Sequence, residues 1–581
     1  MTLRKTLTLL LALGVLAAPI AAARPSDRSQ ARAQETLPGS LELVGHEPLE
    51  MRGMNAALAV HGNHAYIGSR TDNHGQGNAG VMVVDVSKPD APKVVSKIEE
   101  PHENNPGETS REMRVWKSKD LLIVMNLFSN CGEIHGCAPT EGDDNFRFYD
   151  ISGANAAEPK FISEYKPTVN PHEFYLWEDP KDPNRALMFM STPGGNTQLM
   201  VTDISDARNG KFKELYTTRF PADGSLHSLT ITPDGSLGYV AHLTGGFMMI
   251  DTSDFATNAP DPKIQLLTAP ADAPKWEGPG AHSAVPVWGT DYVFVADEVY
   301  GEALQALGGH GCPWGWVRMV DASDRAKPKV VAEHKLLPYN TEEFCTTDPP
   351  RPFSSYASHN PTLTKHLAII SWHSGGLQVI DLTDPAKPKQ AAEWYPEPLP
   401  AVVMEDPVLS SGQDKVVVWS FPIIQDGLIY VVDVRNGLYI LRYKGLYDSE
   451  VSATKFLEGN SNLGDALALG GVTNEPEPTP EPPAGTCTIT GTSDRDLLTG
   501  KSGPDVICGK GGNDAIHGAG GNDIIKAGRG NDSVQGGAGD DNIRGGGGKD
   551  RLSGGSGNDQ LNGGRGKDTC KGGAADTKTS C

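Results

Sequence analysis

The chain has 581 residues, a formal net charge of −22 and a pI near 5.2. That balance argues against nucleic acid as a partner, because phosphate binding wants a basic face. With 67 Gly and 43 Pro it is turn-rich in the manner of an all-β protein, and its length leaves room for one large domain and one small one. Its eight cysteines suit an oxidising compartment and could all pair.

Residues 1–23 carry Arg4 and Lys5, an apolar run from Leu7 to Ala18, and Ala21-Ala22-Ala23. This is the pattern of a secretory signal peptide with a small-residue cleavage site. The run is too short for a membrane span, and no other segment is apolar enough for one. The expected location is therefore secreted, either extracellular or at the cell surface. Residues 24–37 are polar and expected to be disordered. A lone strand follows at Leu41 to Val44.

From residue 38 to 446 one unit recurs. Its clearest copy is Ser358 to Pro398, where Leu367 to Ile370, Leu377 to Leu382 and Gln390 to Trp394 are short apolar runs. Ser-Gly-Gly and Asp-Pro-Ala-Lys-Pro separate them, and a first strand should begin near His359. Four antiparallel strands in about 40 residues make one propeller blade. The third strand with its Asp-x-Ser/Thr exit returns at Val81, Phe146, Leu199, Phe247, Val317 and Leu377, and a shorter copy starts at Leu438. The exit residues suit a turn in which Asp accepts from the backbone two residues on. Seven copies predict seven blades, and the Leu41 strand should complete the last, closing the ring and hiding its edge. The motif resembles the LVIVD-repeat propeller family over roughly Leu41 to Gly445.

Residues 447–485 change composition to an acidic, Pro-rich linker, typified by Glu475-Pro-Glu-Pro-Thr-Pro-Glu-Pro-Pro. Over residues 486–581 a period of nine takes over. Asp496, Asp505, Asp514, Asp523, Asp532, Asp541, Asp550, Asp559 and Asp568 are spaced nine apart, with an aliphatic residue two positions after each from Leu498 to Leu561 and Cys570 closing the series. Two nonapeptides per turn would stack residues 18 apart, giving Asp columns and a thin aliphatic core. Gly-rich turns offering carbonyls and one carboxylate suit calcium, a hard cation. The pattern resembles the RTX, or hemolysin-type, calcium-binding β-roll, which implies Ca²⁺ bound by those nine aspartates. The twelve Asp from Cys487 onward are matched by twelve Lys and Arg, and Lys510, Lys549 and Lys567 stand beside the turns. Proximity suggests pairing Cys487 with Cys508 and Cys570 with Cys581.

Aligning the blades puts Asn55, Arg111, His172, His227, His282 and His359 at the start of successive inner strands, with Trp419 or Ser420 for the seventh. Inner strands line a propeller's channel, so these side chains should converge. His172, His227, His282 and His359 then form a candidate site for a transition metal (Cu, Zn or Fe), which neutral imidazoles suit. The hairpin register adds His242 beside His227, Asp297 beside His282, His373 beside His359, Ser191 near His172 and Asn126 near Arg111. In outline this is similar to propeller metalloenzymes such as the selenium-binding and methanethiol oxidase family, a resemblance of architecture alone. The longest insertions, Leu127 to Asn145 with Cys131 and Cys137, and Val299 to Trp316 with Cys312, should cover the same face, where Cys345 could reach Cys312. A small-molecule or surface ligand is expected there. Two readings stand: a metal-dependent enzyme of the oxidoreductase kind, or a non-catalytic extracellular or cell-surface binding and adhesion module.

Overall fold

The computed structural model describes residues 37–70, 79–98, 109–127, 144–192, 197–222, 224–276, 280–298, 315–336, 357–406, 409, 415–470, 487–501, 503–573 and 576–581. The expected signal peptide, most of the polar stretch after it, the Pro-rich part of the linker, the two long insertions and Cys131, Cys137, Cys312 and Cys345 lie outside them. No helix among the described residues is long and apolar enough to cross a membrane.

The chain divides into two compact units. The first is a seven-bladed propeller. Six blades are four-stranded antiparallel sheets in chain order, beginning at Asn55–His61, Thr109–Trp116, Glu173–Glu178, Leu226–Ile231, Ala281–Pro286 and Pro361–Leu363. The Ser358 unit folds as read, with strands Pro361–Leu363, Leu367–Ser371, Leu377–Asp381 and Lys389–Trp394. The Asp-x-Ser/Thr exits cap their turns: Ser87, Ser205, Ser253 and Thr383 donate their backbone N–H to Asp85, Asp203, Asp251 and Asp381 at 2.8 Å. In blades one, four and six this local chemistry coincides with the end of the third strand, while in blade three the strand runs on to Asp206.

The seventh blade closes the ring. Ser40–Glu47 pairs antiparallel with Gly437–Lys444 and supplies the outer strand, as the lone N-terminal strand led us to expect. The blade also has an unexpected fifth strand. Phe456–Glu458 pairs with the innermost strand Ile423–Gln425, so residues 448–470 belong to the propeller unit and not to a linker beginning at 447. The reason is apolar: Val451, Phe456, Leu457, Leu463 and Ala466 are buried, spaced too irregularly to stand out beside their polar neighbours. Asn460 to Asn462 then cross inner strands of other blades, with Ser461 bridging Leu176, and Asn462 bonded to both Glu178 and Pro233. Glycine is required at Gly459, where a Cβ would strike the Pro361 carbonyl. This segment lies at the ends of the inner strands opposite His172.

The second unit is a parallel β-solenoid of two sheets whose strands pair with a register of 18, as in Ile525 with Ile543 and Val534 with Leu552. Its core is the expected aliphatic series: Ile507, Ile516, Ile525, Val534, Ile543, Leu552 and Leu561, with Leu498 and Cys570 packed at the ends. Disulfides join Cys487 to Cys508 and Cys570 to Cys581, the pairings expected from proximity.

Candidate metal centres

In the roll, the carboxylates 18 residues apart stack in columns at the spacing of parallel strands, about 4.8 Å. One oxygen of each is used by the fold: Asp505 N–H donates to Asp523 Oδ1 at 2.8 Å, and the same bond links Asp514 to Asp532, Asp523 to Asp541, Asp532 to Asp550, Asp541 to Asp559 and Asp550 to Asp568 at 2.9 Å. The other oxygen is left over. Oδ2 of Asp514, Asp523, Asp532, Asp541, Asp550, Asp559 and Asp568 is buried without a hydrogen-bond partner. Asp496 and Asp505, the first two of the nine, differ, because their Oδ2 atoms accept from the backbone N–H of Thr492 and Lys501 at 2.6 Å.

Orphaned buried carboxylate oxygens are costly unless a cation meets them. Burial, with the Asp541 and Asp505 charges adding, pushes Asp523 up to about 7, and Asp532 and Asp541 rise to about 6 for the same reasons. Glycines keep the oxygens accessible. A Cβ on Gly518, Gly536 or Gly554 would strike Oδ2 of Asp523, Asp541 or Asp559. An all-oxygen donor set walled by glycine fits calcium.

In the propeller, the four histidines of successive blades do meet. Ring centroids are 4.6 Å apart for His172 and His227, 3.7 Å for His227 and His282, and 4.6 Å for His282 and His359. Local backbone explains how. The inner strands of blades four and five shift register between Leu226 and Ser228 and between Ala281 and Ser283, so His227 and His282 sit on β-bulges that re-aim a side chain. Blade two has the same bulge at Arg111.

The residue that organises the cluster was not among those expected. Glu298 follows the second strand of blade five, and its carboxylate takes three imidazoles: Oε2 is 3.1 Å from His282 Nε2, and Oε1 is 3.2 Å from His359 Nε2 and 3.1 Å from His373 Nε2. Its neighbour Asp297, expected beside His282, instead pairs with Arg318 and accepts from Trp276 Nε1 at 3.0 Å. The bulge at His282 shifts the hairpin by one residue, enough to turn Asp297 away. His242 is likewise turned from His227, its Nδ1 accepting from Gly245 N–H at 2.9 Å. His373 is where the register put it, its ring 4.8 Å from His359. Ser191 serves His172 through its carbonyl, which accepts the His172 N–H at 2.8 Å, and Asn126 accepts from Ser110, with no contact to Arg111. Asn55 is consumed by Arg52 and by the Val434 carbonyl.

Two donor triads result, Glu173 with His227 and His282, and His282 with Glu298 and His359; in each the ligand atoms lie within 4.8 Å of one another. His172 stands outside both and bonds His227 through their Nε2 atoms at 2.9 Å. In the first triad, His227 Nδ1 and Glu173 Oε1 are 3.8 Å apart, too long for a hydrogen bond, and His227 Nδ1 and Glu173 Oε2 are buried without such a partner. Burial, aided by Arg111, takes His172 down to about 3, and burial holds His227 and His359 well below the ordinary imidazole value. Burial alone would raise Glu298, but His359 and His282 hold it well below the usual carboxylate range. Neutral imidazoles around an anionic carboxylate are the protonation states a metal requires.

The comparisons with known proteins bear on both units. The RTX calcium-binding nonapeptide repeat matches residues 490–525, 517–552 and 544–576. The LVIVD repeat matches residues 52–99, the first blade. The chain thus carries an LVIVD repeat in the first blade of its propeller and RTX calcium-binding repeats in its roll. No curated protein matches it by sequence. Among solved structures it is similar to Chaetomium thermophilum Sqt1 bound to the N-terminus of the ribosomal protein L10, at 13% identity and a TM-score of 0.40 over 68% of this chain and 89% of that one. A second structure of Sqt1 from the same organism gives 13% identity and a TM-score of 0.39 over 69% and 86%.

Proposed function

We propose that this LVIVD–RTX protein is exported, binds calcium through its roll, and holds a transition metal ion (Cu, Zn or Fe) in the propeller channel. The observation that carries the metal reading is Glu298 with the Nε2 atoms of His282, His359 and His373 at 3.1 to 3.2 Å around it. His227 and Glu173 extend the donor set on the other side of His282. Imidazole and carboxylate together suit zinc, copper or iron and disfavour calcium, which wants oxygen alone. The reaction class that follows is metal-dependent catalysis on a small molecule entering from the histidine side, an oxidoreductase where the ion is copper or iron. In the roll, the seven aspartates with a free Oδ2 are the calcium ligands, while Asp496 and Asp505 serve as backbone caps. Export rests on the N-terminal sequence pattern and the two disulfides.

Elemental analysis of the purified full-length protein tests this. Roughly one equivalent of a transition metal is expected, falling several-fold in His282→Ala, His359→Ala and Glu298→Ala. His61→Ala should keep it, since His61 ends the innermost strand of blade one and faces Asp120 at 3.0 Å. Metal-free wild-type protein, or triad variants that keep full metal, would reject the enzyme reading and leave a binding module.

A further inference from the structure

Seven arginines are buried among the described residues. Six have acceptors built for them. Arg70 pairs with Asp406, Arg114 with Glu112 and Glu458, Arg185 with Asp179, Arg318 with Asp297, and Arg435 with Glu405. Arg52 donates to Asn55 and to the carbonyls of Gly80, Ile67 and Gly68. Arg111 is the exception. It is 5% exposed, and among the described residues its guanidinium has no hydrogen bond or ion pair; it lies over the Trp419 indole, 5.7 Å from Cζ to the ring centroid, with Glu173 and His172 near enough to feel its charge.

A guanidinium cannot shed its charge, and leaving it buried without an acceptor is expensive. Cation–π contact with one indole offsets only a part, about 0.5–2 kcal/mol. The position is also particular. Arg111 occupies, on the bulge of blade two, the place that His172, His227, His282 and His359 hold in the following blades. Trp419 has Arg111 and Arg70 over its ring, and lies 4.3 Å from His359 and stacked 5.1 Å from His373 by ring centroids. The channel mouth thus has an imidazole half and a cationic half, with one indole between them.

We propose that Arg111, seated on Trp419, is the anchor of an oxoanion-binding subsite: a small-molecule ligand presents a carboxylate or a tetrahedral oxoanion to its free fork, beside the histidine–Glu298 cluster. Two parallel N–H···O bonds are the match such a fork makes. The subsite stands without any metal; that its anion is the substrate of a metal centre rests on the reading above.

The test uses full-length protein in low-chloride buffer, with acetate and inorganic phosphate as separate probes titrated calorimetrically into wild type, Arg111→Met and Arg111→Lys. Metal content is measured on the same samples. We expect saturable binding of at least one probe, weakened 10-fold or more in Arg111→Met, because the variant loses a charged hydrogen-bonding group. Arg111→Lys should fall between. Acetate alone saturating would assign a carboxylate ligand, and phosphate alone a tetrahedral one. Where Arg111→Met fails to fold by circular dichroism, Arg111→Lys decides, with a 3-fold or larger loss expected. Equal affinity in wild type and variants, or no saturation by either probe, overturns the proposal. Anion binding lost in Arg111→Met from a metal-free wild type would sustain the subsite while rejecting the metal, and the converse pattern would do the reverse.

Discussion

Glu458 makes the fold testable at one atom. It lies on the segment that pairs with the innermost strand of blade seven, and its Oε1 is 3.0 Å from Arg114 Nε on blade two, both side chains 2% exposed. Arg114 already serves Glu112 at 3.0 Å, so one cation faces two carboxylates. Burial, opposed by Arg114 and assisted by Glu112, pushes Glu458 from 4.5 up to about 7. Between about pH 4.5 and 7 the folded protein therefore holds a proton that the unfolded chain has released. Stability falls as pH rises through that window and levels off above it. The shift corresponds to about 3 kcal/mol at 1.36 kcal/mol per unit. Glu458→Gln removes the titration and keeps the shape. Relative to wild type, the variant should gain about 3 kcal/mol between pH 4.5 and pH 8. For a unit of roughly 430 residues unfolding with an entropy of about 2.1 cal/mol/K per residue, that is about 3 °C in midpoint. Differential scanning calorimetry of both proteins at the two pH values measures it, and other titrating groups cancel in the difference. A difference between the two proteins that does not change with pH would refute the account of the buried triad.

Two further outcomes concern the roll. Chelating calcium from the full-length protein should unfold residues 487–581 and open them to protease while the propeller resists, because the thin aliphatic core cannot offset the ordering of so many glycines; fragments and circular dichroism report it, and an unchanged spectrum from chelator to millimolar calcium contradicts it. Ala519 stands at φ 83° in the nine-residue series whose later members are Gly528, Gly537, Gly546, Gly555 and Gly564, so Ala519→Gly should stabilise the calcium-loaded roll by about 1 kcal/mol, read from its melting midpoint, where no gain would mean the strain is absent.

The fold was legible because it is periodic. Val81, Leu199, Phe247 and Leu377 stand at or next to the start of the third strand of blades one, three, four and six, and Asp85, Asp203, Asp251 and Asp381 each accept from the backbone two residues on, so each copy repeats a local rule. The roll repeats a shorter one, and its core was read residue by residue. What escaped was aperiodic. Phe456–Glu458 follows the last repeat and has no counterpart in any blade, so nothing marked it as a strand. Glu298 escaped for a related reason: a bulge at His282 moves the hairpin by one position, and a bulge leaves no trace in an apolar pattern where both faces are buried.

The same contrast locates the chemistry. A repeat protein needs only apolar residues and turn formers at its equivalent positions, so a polar residue there departs from what packing asks. At or beside the start of their inner strands, six blades carry Asn55, Arg111, His172, His227, His282 and His359. Packing accounts for Asn55, whose amide closes blade one onto blade seven through the Val434 carbonyl. It does not account for the others. Four imidazoles brought ring to ring at 3.7 to 4.6 Å, two of them on the Glu298 carboxylate, and one guanidinium with no acceptor among the described residues, are held at a cost in desolvation that the fold alone does not recover. In the roll the same logic applies to seven carboxylate oxygens turned inward with no partner. The three kinds of group call for three kinds of ligand: oxygen alone for a hard cation, imidazole with carboxylate for a transition ion, and a free guanidinium for an anion. On the readings proposed above, each is completed by something bound from outside the chain.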